Sequence, residues 1–348
     1  MATITETVAP TKMEVSEAPQ AKSTLKVVLG TMNLGREGAP LVRVHDPAVS
    51  GAMLDTLQKH GHCEVDTARI YGFGSTEEHL AQLKWQERGI AVGTKLTAKK
   101  VGPKEYSHKK DSLKPGLLES LKALGSEKVD TFYLHTPDHN TPYAETLEAV
   151  NELYKAGYFK KFGICNYAAW EVAQICELCS ANGWKKPDIY QGAYSALQRN
   201  IETELFPCLR YYGISFYSFS PLAGGMLTDR YGRDTSEYEG GSRFDPNNAR
   251  GFYRKLYWNE PTFAALDLIR PLAQKHGMTT TEAALRWTTH HSAMKGDKGD
   301  AVVIGSSSAE QLEGNLSNLE KGPLPEDLVQ AFEEAWSLVK VNTAPYFA

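Results

Sequence analysis

The topology follows from HCEVDTARIYGFGSTEEHL (62–80), in which a strand candidate, HCEVD (62–66), leads through a turn with Tyr71 into a helical segment. The same unit recurs along the chain. Further strand candidates are 26–32, 90–96, 130–135, 161–166, 188–194, 214–220 and 301–307. Strands that alternate with helices predict a parallel sheet, and eight strands close a barrel that its own side chains fill. We predict an α/β fold, a single-domain (β/α)8 TIM barrel.

Helical patterns fill the intervals between these strands. They cover 46–59, 75–86, 112–124, 143–156, 168–181, 202–211, 259–276 and 279–291. A long segment after the seventh strand, 222–258, is rich in Gly, Tyr and Arg, which favours a functional loop. We expect residues 1–24 to be a disordered tail and 25–348 to form the barrel. The C-terminal stretch predicts a helix and an aromatic tail over the barrel mouth.

The composition excludes several classes of protein. The chain has 348 residues, 41% hydrophobic and 23% charged, with a net charge of −4 and no long run of like charge. This charge pattern does not predict a nucleic-acid surface. No apolar run reaches the roughly 18 residues that a membrane span needs, so we predict no span. Five cysteines without a secretory signal favour reduced thiols in the cytoplasm. Cys176 and Cys179 fit helix positions better than a metal site, so we predict no metal.

Four chemically active side chains stand at or just after predicted strand ends: Asp66, Tyr71, Lys95 and His135. In a parallel barrel the strand ends and following loops form the catalytic face. A nearby ammonium lowers the pKa of a phenol, and a carboxylate keeps that ammonium charged. We therefore predict that Asp66 pairs with Lys95 and that Lys95 tunes Tyr71. Tyr71 would protonate a carbonyl oxygen, and His135 would orient that oxygen.

The chain resembles the aldo-keto reductase family over nearly all of its length. The resemblance rests on the runs VDTARIYGFGSTEEHL, VGTKL, DTFYLHTPD, ICNY, YQGAYSAL, FSPLAGGML and IGSSSAEQLEGNL. The segment PLAGGMLTDRY (221–231) and the ending, AWSLVK to PYF, most resemble the aflatoxin-aldehyde reductase branch. The resemblance to the family implies NADPH-dependent reduction of an aldehyde or ketone to an alcohol, with Tyr71 as general acid. The substrate would then be a small carbonyl compound.

The resemblance also implies a binding site for NADP. Around the nicotinamide it places Asn166, Gln191 and Phe219. For the phosphates and the adenosine it implies the backbone and side chains of Ser220, Pro221, Leu222, Gly224, Gly305, Ser307, Gln311 and Asn315. Arg230 and Arg243 would add positive charge, with Arg243 directed at the 2′-phosphate. Two positions depart from the family pattern, because Cys165 replaces a serine and Gly314 replaces a glutamate.

The predicted pocket favours apolar or aromatic carbonyl compounds, from secondary metabolism or carbonyl detoxification. Its expected lining comprises Met32, Asn33, Tyr71, Trp85 or its neighbours, His135, Tyr167 and the aromatic tail around Tyr346 and Phe347. The sequence leaves open a redox-sensing regulatory subunit that binds a nicotinamide, and a barrel hydrolase or isomerase without one. It also leaves open whether the protein is a monomer or a homodimer.

Overall fold

The computed structural model describes residues 23–247 and 251–348, and its centre is a closed barrel of eight parallel strands. The strands are β1 (Lys26–Gly30), β2 (Glu64–Asp66), β3 (Ala91–Leu96), β4 (Val129–Leu134), β5 (Phe159–Cys165), β6 (Ile189–Ala193), β7 (Ser215–Phe219) and β8 (Ala301–Ile304). Strand β1 pairs with both β2 and β8, which closes the ring. The predicted (β/α)8 fold is confirmed.

Helices surround the barrel. They are α1 (Pro47–Lys59), α2 (Ser75–Gln82), α3 (Lys110–Ala123), α4 (Tyr143–Lys155), α5 (Ala169–Asn182), α6 (Leu205–Tyr212), α7 (Phe252–Tyr257), α8 (Glu260–Lys275), α9 (Thr280–His290), α10 (Ala309–Leu319) and α11 (Glu326–Val339). Asp46, Thr279 and Ser308 begin α1, α9 and α10 by accepting a backbone N–H from the first turn. Within the described residues, no helix is long and apolar enough to cross a membrane.

Three local features depart from the sequence-based expectations. Helix α2 ends at Gln82, four residues early, and Lys84 just beyond it has a φ of 51° that a helix cannot continue. Helix α7 forms inside the long 222–258 segment. A small hairpin, Lys100–Val101 with Lys104–Glu105, follows β3.

Side chains fill the interior of the barrel. Tyr133 on β4 lies across Gly163 and Gly93, and a Cβ on Gly163 would overlap the Tyr133 ring. The buried cluster inside the strands contains Val28, Tyr133, Cys165, Ile189, Tyr217, Ala301 and Val303. Because this packing blocks the centre, the open site lies at the carboxyl ends of the strands.

The C-terminal tail reaches that end of the barrel. The Ala348 N–H donates to the Asn166 carbonyl over 2.9 Å. The buried Tyr346 hydroxyl accepts from the Ala169 N–H over 3.0 Å and donates to Glu204 over 2.8 Å. Of the N-terminal tail predicted at 1–24, residues 1–22 lie outside the described residues.

Candidate active site

A buried ion pair forms the floor of the barrel mouth. Lys95 Nζ donates to Asp66 Oδ2 over 2.6 Å and to the Thr67 carbonyl over 2.9 Å. The Lys95 side chain is fully buried, because strand alternation turns it into the barrel. Asp66 Oδ1 accepts from Gln191 Nε2 over 2.8 Å. The carboxylate is therefore held from β3 and from β6 at once.

The ion pair keeps the ammonium charged. Burial lowers the pKa of Lys95. Asp66 and Tyr71 together raise the same pKa by a larger amount, so it stands above its ordinary value. The nearby Cys165 thiol is buried as well, and burial raises its pKa. Lys95 is thus a fixed positive charge beside a neutral thiol.

Tyr71 lies over this charge. Lys95 Nζ is 5.2 Å from the centre of the Tyr71 ring. Burial raises the pKa of Tyr71 to about 12, while Lys95 opposes this rise and Asp66 adds to it. We expected a pKa lowered by Lys95; the direction of that one influence is right, but burial outweighs it. At neutral pH the phenol therefore carries its proton.

His135 completes the group. Its ring lies edge-on to Tyr71, with the two ring centres 5.9 Å apart. Burial lowers the pKa of His135 well below its usual range, and Lys95 and Lys99 lower it further. Its Nδ1 atom is buried and has no hydrogen-bond partner among the described residues. The imidazole is therefore neutral at pH 7 and suited to hydrogen bonding rather than to donating a proton as imidazolium.

Two amide side chains stand at neighbouring strand ends. Asn166 follows β5 with a φ of 63°, and its Nδ2 donates to the His135 carbonyl over 3.0 Å. Gln191, on β6, is buried and uses its Nε2 to bind Asp66. Asn166 therefore borders His135, and Gln191 borders the ion pair.

The segment that follows β7 has a strained backbone. Ser220 and Ala223 have φ values of 58° and 50°, and Gly224 has 71°. Non-glycine residues in this region cost free energy and concentrate at functional sites. Tyr253 of α7 lies against this turn, since its hydroxyl bonds Ser220 Oγ over 3.0 Å and a Cβ on Gly224 would overlap its ring.

The other predicted residues of this segment lie beside the turn. Phe219 is half-buried and packs on the interior cluster. Pro221 is buried and Leu222 is half-buried.

The end of β8 leads into helix α10. Gly305 is exposed, and Ser307 donates from both its N–H and its hydroxyl to Gln311 Oε1, over 2.7 and 3.0 Å. Asn315 is buried and donates to Ser306 Oγ over 3.3 Å. These contacts order the first turn of α10.

The two predicted arginines of the long loop have different surroundings. Arg243 stacks on Tyr253, 4.7 Å from the ring centre, and its Nη2 lies 4.0 Å from where a Cβ on Gly305 would stand. Arg230 is about half exposed and pairs with Glu239 over 2.7 Å. The structure therefore brings Arg243 to the end of β8, whereas Arg230 binds within its own loop.

Arg43, which no sequence pattern singled out, also forms an ion pair with Glu239. Burial lowers the pKa of Arg43, and the nearby Arg230 lowers it further. These contacts join the loop after β1 to the long loop. No sequence signal connects Arg43 to residues so distant along the chain.

One predicted pocket residue is wrong. Trp85 lies just before β3, at the amino ends of the strands, and its Nε1 donates to the Leu124 carbonyl. It is therefore at the opposite end of the barrel from Tyr71.

Tyr167 is buried, and its hydroxyl reaches the Thr136 carbonyl over 3.4 Å. Within residues 23–247 and 251–348, no group of His, Cys, Asp and Glu side chains could hold a metal.

Comparison with known proteins identifies the fold family. The model of the aldo/keto reductase family matches residues 26–337. The chain belongs to the aldo/keto reductase family. It is an oxidoreductase that acts on carbonyl groups, as expected from the sequence.

Several relatives are similar over most of their length. An aldo-keto reductase of Pseudocercospora fijiensis is 96% identical over 296 residues, which are 85% of this chain and all of that protein. The aldo-keto reductase pigE of Monascus ruber is 45% identical over 94% of this chain and 98% of its own. The aflatoxin B1 aldehyde reductase member 2 of Mus musculus is 43% identical over 97% of this chain and 91% of its own. The resemblance to aflatoxin-aldehyde reductases is confirmed.

Proposed function

We propose that this aldo/keto reductase reduces an aldehyde or ketone to an alcohol with NADPH, and that Tyr71 donates the proton. One observation carries the proposal: a protonated phenol, a buried ammonium–carboxylate pair and a neutral imidazole meet at one barrel mouth. Such a group can protonate a carbonyl oxygen.

The residues around this group fit a nicotinamide dinucleotide. The strained turns at Asn166, Ser220 and Ala223 all stand at strand ends, where the backbone approaches a ligand closely. Exposed Gly305 and the first turn of α10 suit an adenosine phosphate. Asn166 and Gln191 would hold the nicotinamide amide, and Phe219 would lie against the ring. When bound, NADPH supplies the hydride to the carbonyl carbon.

The chain's own residues move the proton. Tyr71 keeps its proton at neutral pH because burial raises its pKa to about 12. When the Tyr71 proton passes to the carbonyl oxygen, Lys95 stabilises the phenolate that remains, since an adjacent positive charge favours the ionised form. Asp66 holds Lys95 in place for this step. Neutral His135 donates a hydrogen bond that orients the same oxygen.

The substrate class follows from the lining of the mouth. Tyr71 stands beside His135, and the tail residue Phe347, 46% exposed, adjoins Ala348, whose N–H donates to the Asn166 carbonyl. We infer that these two rings flank the approach of the substrate. Aromatic rings favour apolar and aromatic carbonyl compounds through buried apolar area. A role in secondary metabolism or detoxification, a cytoplasmic location and a homodimer stay predictions.

A direct assay tests this function. We expect carbonyl-dependent oxidation of NADPH with aromatic aldehydes or quinones, at a higher kcat/KM than with succinic semialdehyde. NADPH binding that quenches tryptophan fluorescence, without turnover of any aldehyde, ketone or quinone in a broad panel, would instead favour a redox-sensing subunit.

Arg243 should set the preference for NADPH over NADH. An arginine at the end of β8 can form charge-assisted hydrogen bonds to a 2′-phosphate. We expect Arg243→Met to raise KM for NADPH by about tenfold to a hundredfold, from the loss of such a bond. KM for NADH should change by less than about twofold, since NADH lacks the phosphate.

A control on the same loop is available. Arg233 is exposed and pairs with Glu260 and Asp267, away from the strand ends. Arg233→Met should leave both KM values unchanged. An unchanged KM for NADPH in Arg243→Met would reject the assigned role.

A further inference from the structure

A second buried ion pair lies just outside the barrel wall, behind the catalytic floor. Arg69 Nη1 is 2.6 Å from Glu77 Oε2, and Glu77 is fully buried. The contact brings the charges together without an aligned hydrogen bond at Oε2. Burial raises the pKa of Glu77, and Arg69 opposes that rise. The arginine therefore favours the ionised form of a carboxyl group in a dry environment.

This pair joins the elements that carry the two central catalytic groups. Arg69 stands in the loop of Tyr71, two residues before it, and its backbone N–H donates to the Lys95 carbonyl over 3.0 Å. Glu77 lies on α2 and accepts from Thr94 Oγ1 over 2.6 Å. Thr94 immediately precedes Lys95 on β3 and points outward, because Lys95 points inward. Arg69 thus binds β3 through its backbone N–H, and Glu77 binds β3 through Thr94. Both members of the pair therefore tie the loop of Tyr71 to the strand of Lys95.

The loop needs such support because Phe73, a non-glycine residue between two glycines, holds a positive φ. Gly72, Phe73 and Gly74 have φ values of 53°, 53° and 93° in succession. The Arg69 guanidinium packs directly on Gly74, where a Cβ would overlap it, and also reaches the Glu119 carbonyl over 3.4 Å. A strained conformation persists only where its surroundings hold it.

We propose that the Arg69–Glu77 pair is a positioning device that fixes the Tyr71 hydroxyl relative to the Lys95 ammonium. The inference rests on the proposed role of Tyr71 as acid. Glu77 is fully buried and the Arg69 side chain is only 11% exposed, so neither is assigned a contact with substrate or cofactor. Their effect passes through the loop, so that loss of the pair leaves the chemistry in place but misaligned.

The expected result separates geometry from binding. Glu77→Gln keeps the shape and the bond to Thr94, and Arg69→Met removes the cation. Both should lower kcat by about 10- to 100-fold, as a displacement of about 1 Å can do. KM for NADPH should stay within about twofold, because the cofactor residues lie on other strands. Arg69→Lys, which keeps the charge, should recover part of kcat.

The pH profile of alcohol oxidation gives a second readout. In that direction Tyr71 acts as a phenolate, so the rate rises with pH as the phenol ionises. The charged or titratable groups that face Tyr71 are Lys95, Asp66, His135 and Cys165. A Tyr71 that has moved away from Lys95 ionises less readily, so the inflection should shift to higher pH in both variants.

A matched control pair lies at the other end of the barrel. Arg210 and the buried Asp300 form a two-bond ion pair just before β8 begins. Arg210→Met should lower the free energy of unfolding to a similar extent while leaving kcat and the inflection unchanged. If Glu77→Gln and Arg69→Met match Arg210→Met in both measurements, the inference is wrong.

The other outcomes are equally decisive. A lower kcat with an unmoved inflection also overturns the inference, because it would mark a general loss of order. Tyr71→Phe is measured alongside. If it keeps normal turnover, the proposed acid itself fails, whereas an inactive Tyr71→Phe with normal pair variants rejects only the positioning role.

Discussion

Replacement of Tyr71 by phenylalanine should lower kcat for aldehyde reduction by about 10²- to 10⁴-fold, the usual contribution of a positioned general acid. The change removes one hydroxyl from a ring that otherwise keeps its contacts with Lys95 and His135. NADPH binding should persist, because no predicted cofactor contact uses the phenol. Steady-state kinetics and quenching of tryptophan fluorescence by NADPH measure the two effects separately.

Tyr211→Phe is the matched control, because Tyr211 is 82% exposed on α6, outside the barrel. It should leave kcat unchanged. A general acid should contribute a factor of about 10² or more to kcat. A kcat of Tyr71→Phe within about threefold of that of the original enzyme would contradict this role.

Replacement of Lys95 by methionine should damage both stability and catalysis. The substitution leaves Asp66, only 5% exposed, without its cation. Breaking a buried ion pair in this way costs about 3–5 kcal/mol of unfolding free energy. We also expect kcat to fall by about 10² or more, because the phenolate of Tyr71 loses its stabilising charge. Denaturant titration and kinetics on the folded enzyme give the two values.

An exposed lysine provides the control for this variant. Lys160 pairs with Asp130 on the barrel's outer surface and is 70% exposed. Such surface pairs contribute at most about 1 kcal/mol, so Lys160→Met should change neither stability nor rate appreciably. An equal, small effect of both substitutions would show that the buried pair has no special role.

Much of the fold and the centre of the site follow from sequence. Parallel strands bring their carboxyl ends to one face, so the placement of Asp66, Lys95 and His135 at strand ends predicts their proximity. The contacts in the structure agree, since Lys95 Nζ and Asp66 Oδ2 lie 2.6 Å apart. Helix ends are predictable where a capping residue marks them, as Ser308 does for α10.

The rest depends on three-dimensional packing that the sequence does not encode locally. The net pKa of Tyr71 is the sum of burial and opposing charges, and only the fold sets how dry the site is. Glu77 and Glu78 are adjacent, yet Glu77 is buried and Glu78 is exposed, because only one of them faces β3. The prediction that Trp85 lines the pocket is wrong because a residue between a helix and the next strand lies at the amino ends of the strands, opposite the site.

The pH dependence of hydride transfer tests the central claim most directly. Single-turnover reduction of an aromatic aldehyde by the NADPH-loaded enzyme is followed from about pH 6 to about pH 9. Tyr71, with a pKa of about 12, and neutral His135 predict a rate that stays level across this range. A rate that falls about tenfold per pH unit above about 6.5 would report the loss of an imidazolium proton. That result would make His135 the acid and contradict the role assigned to Tyr71.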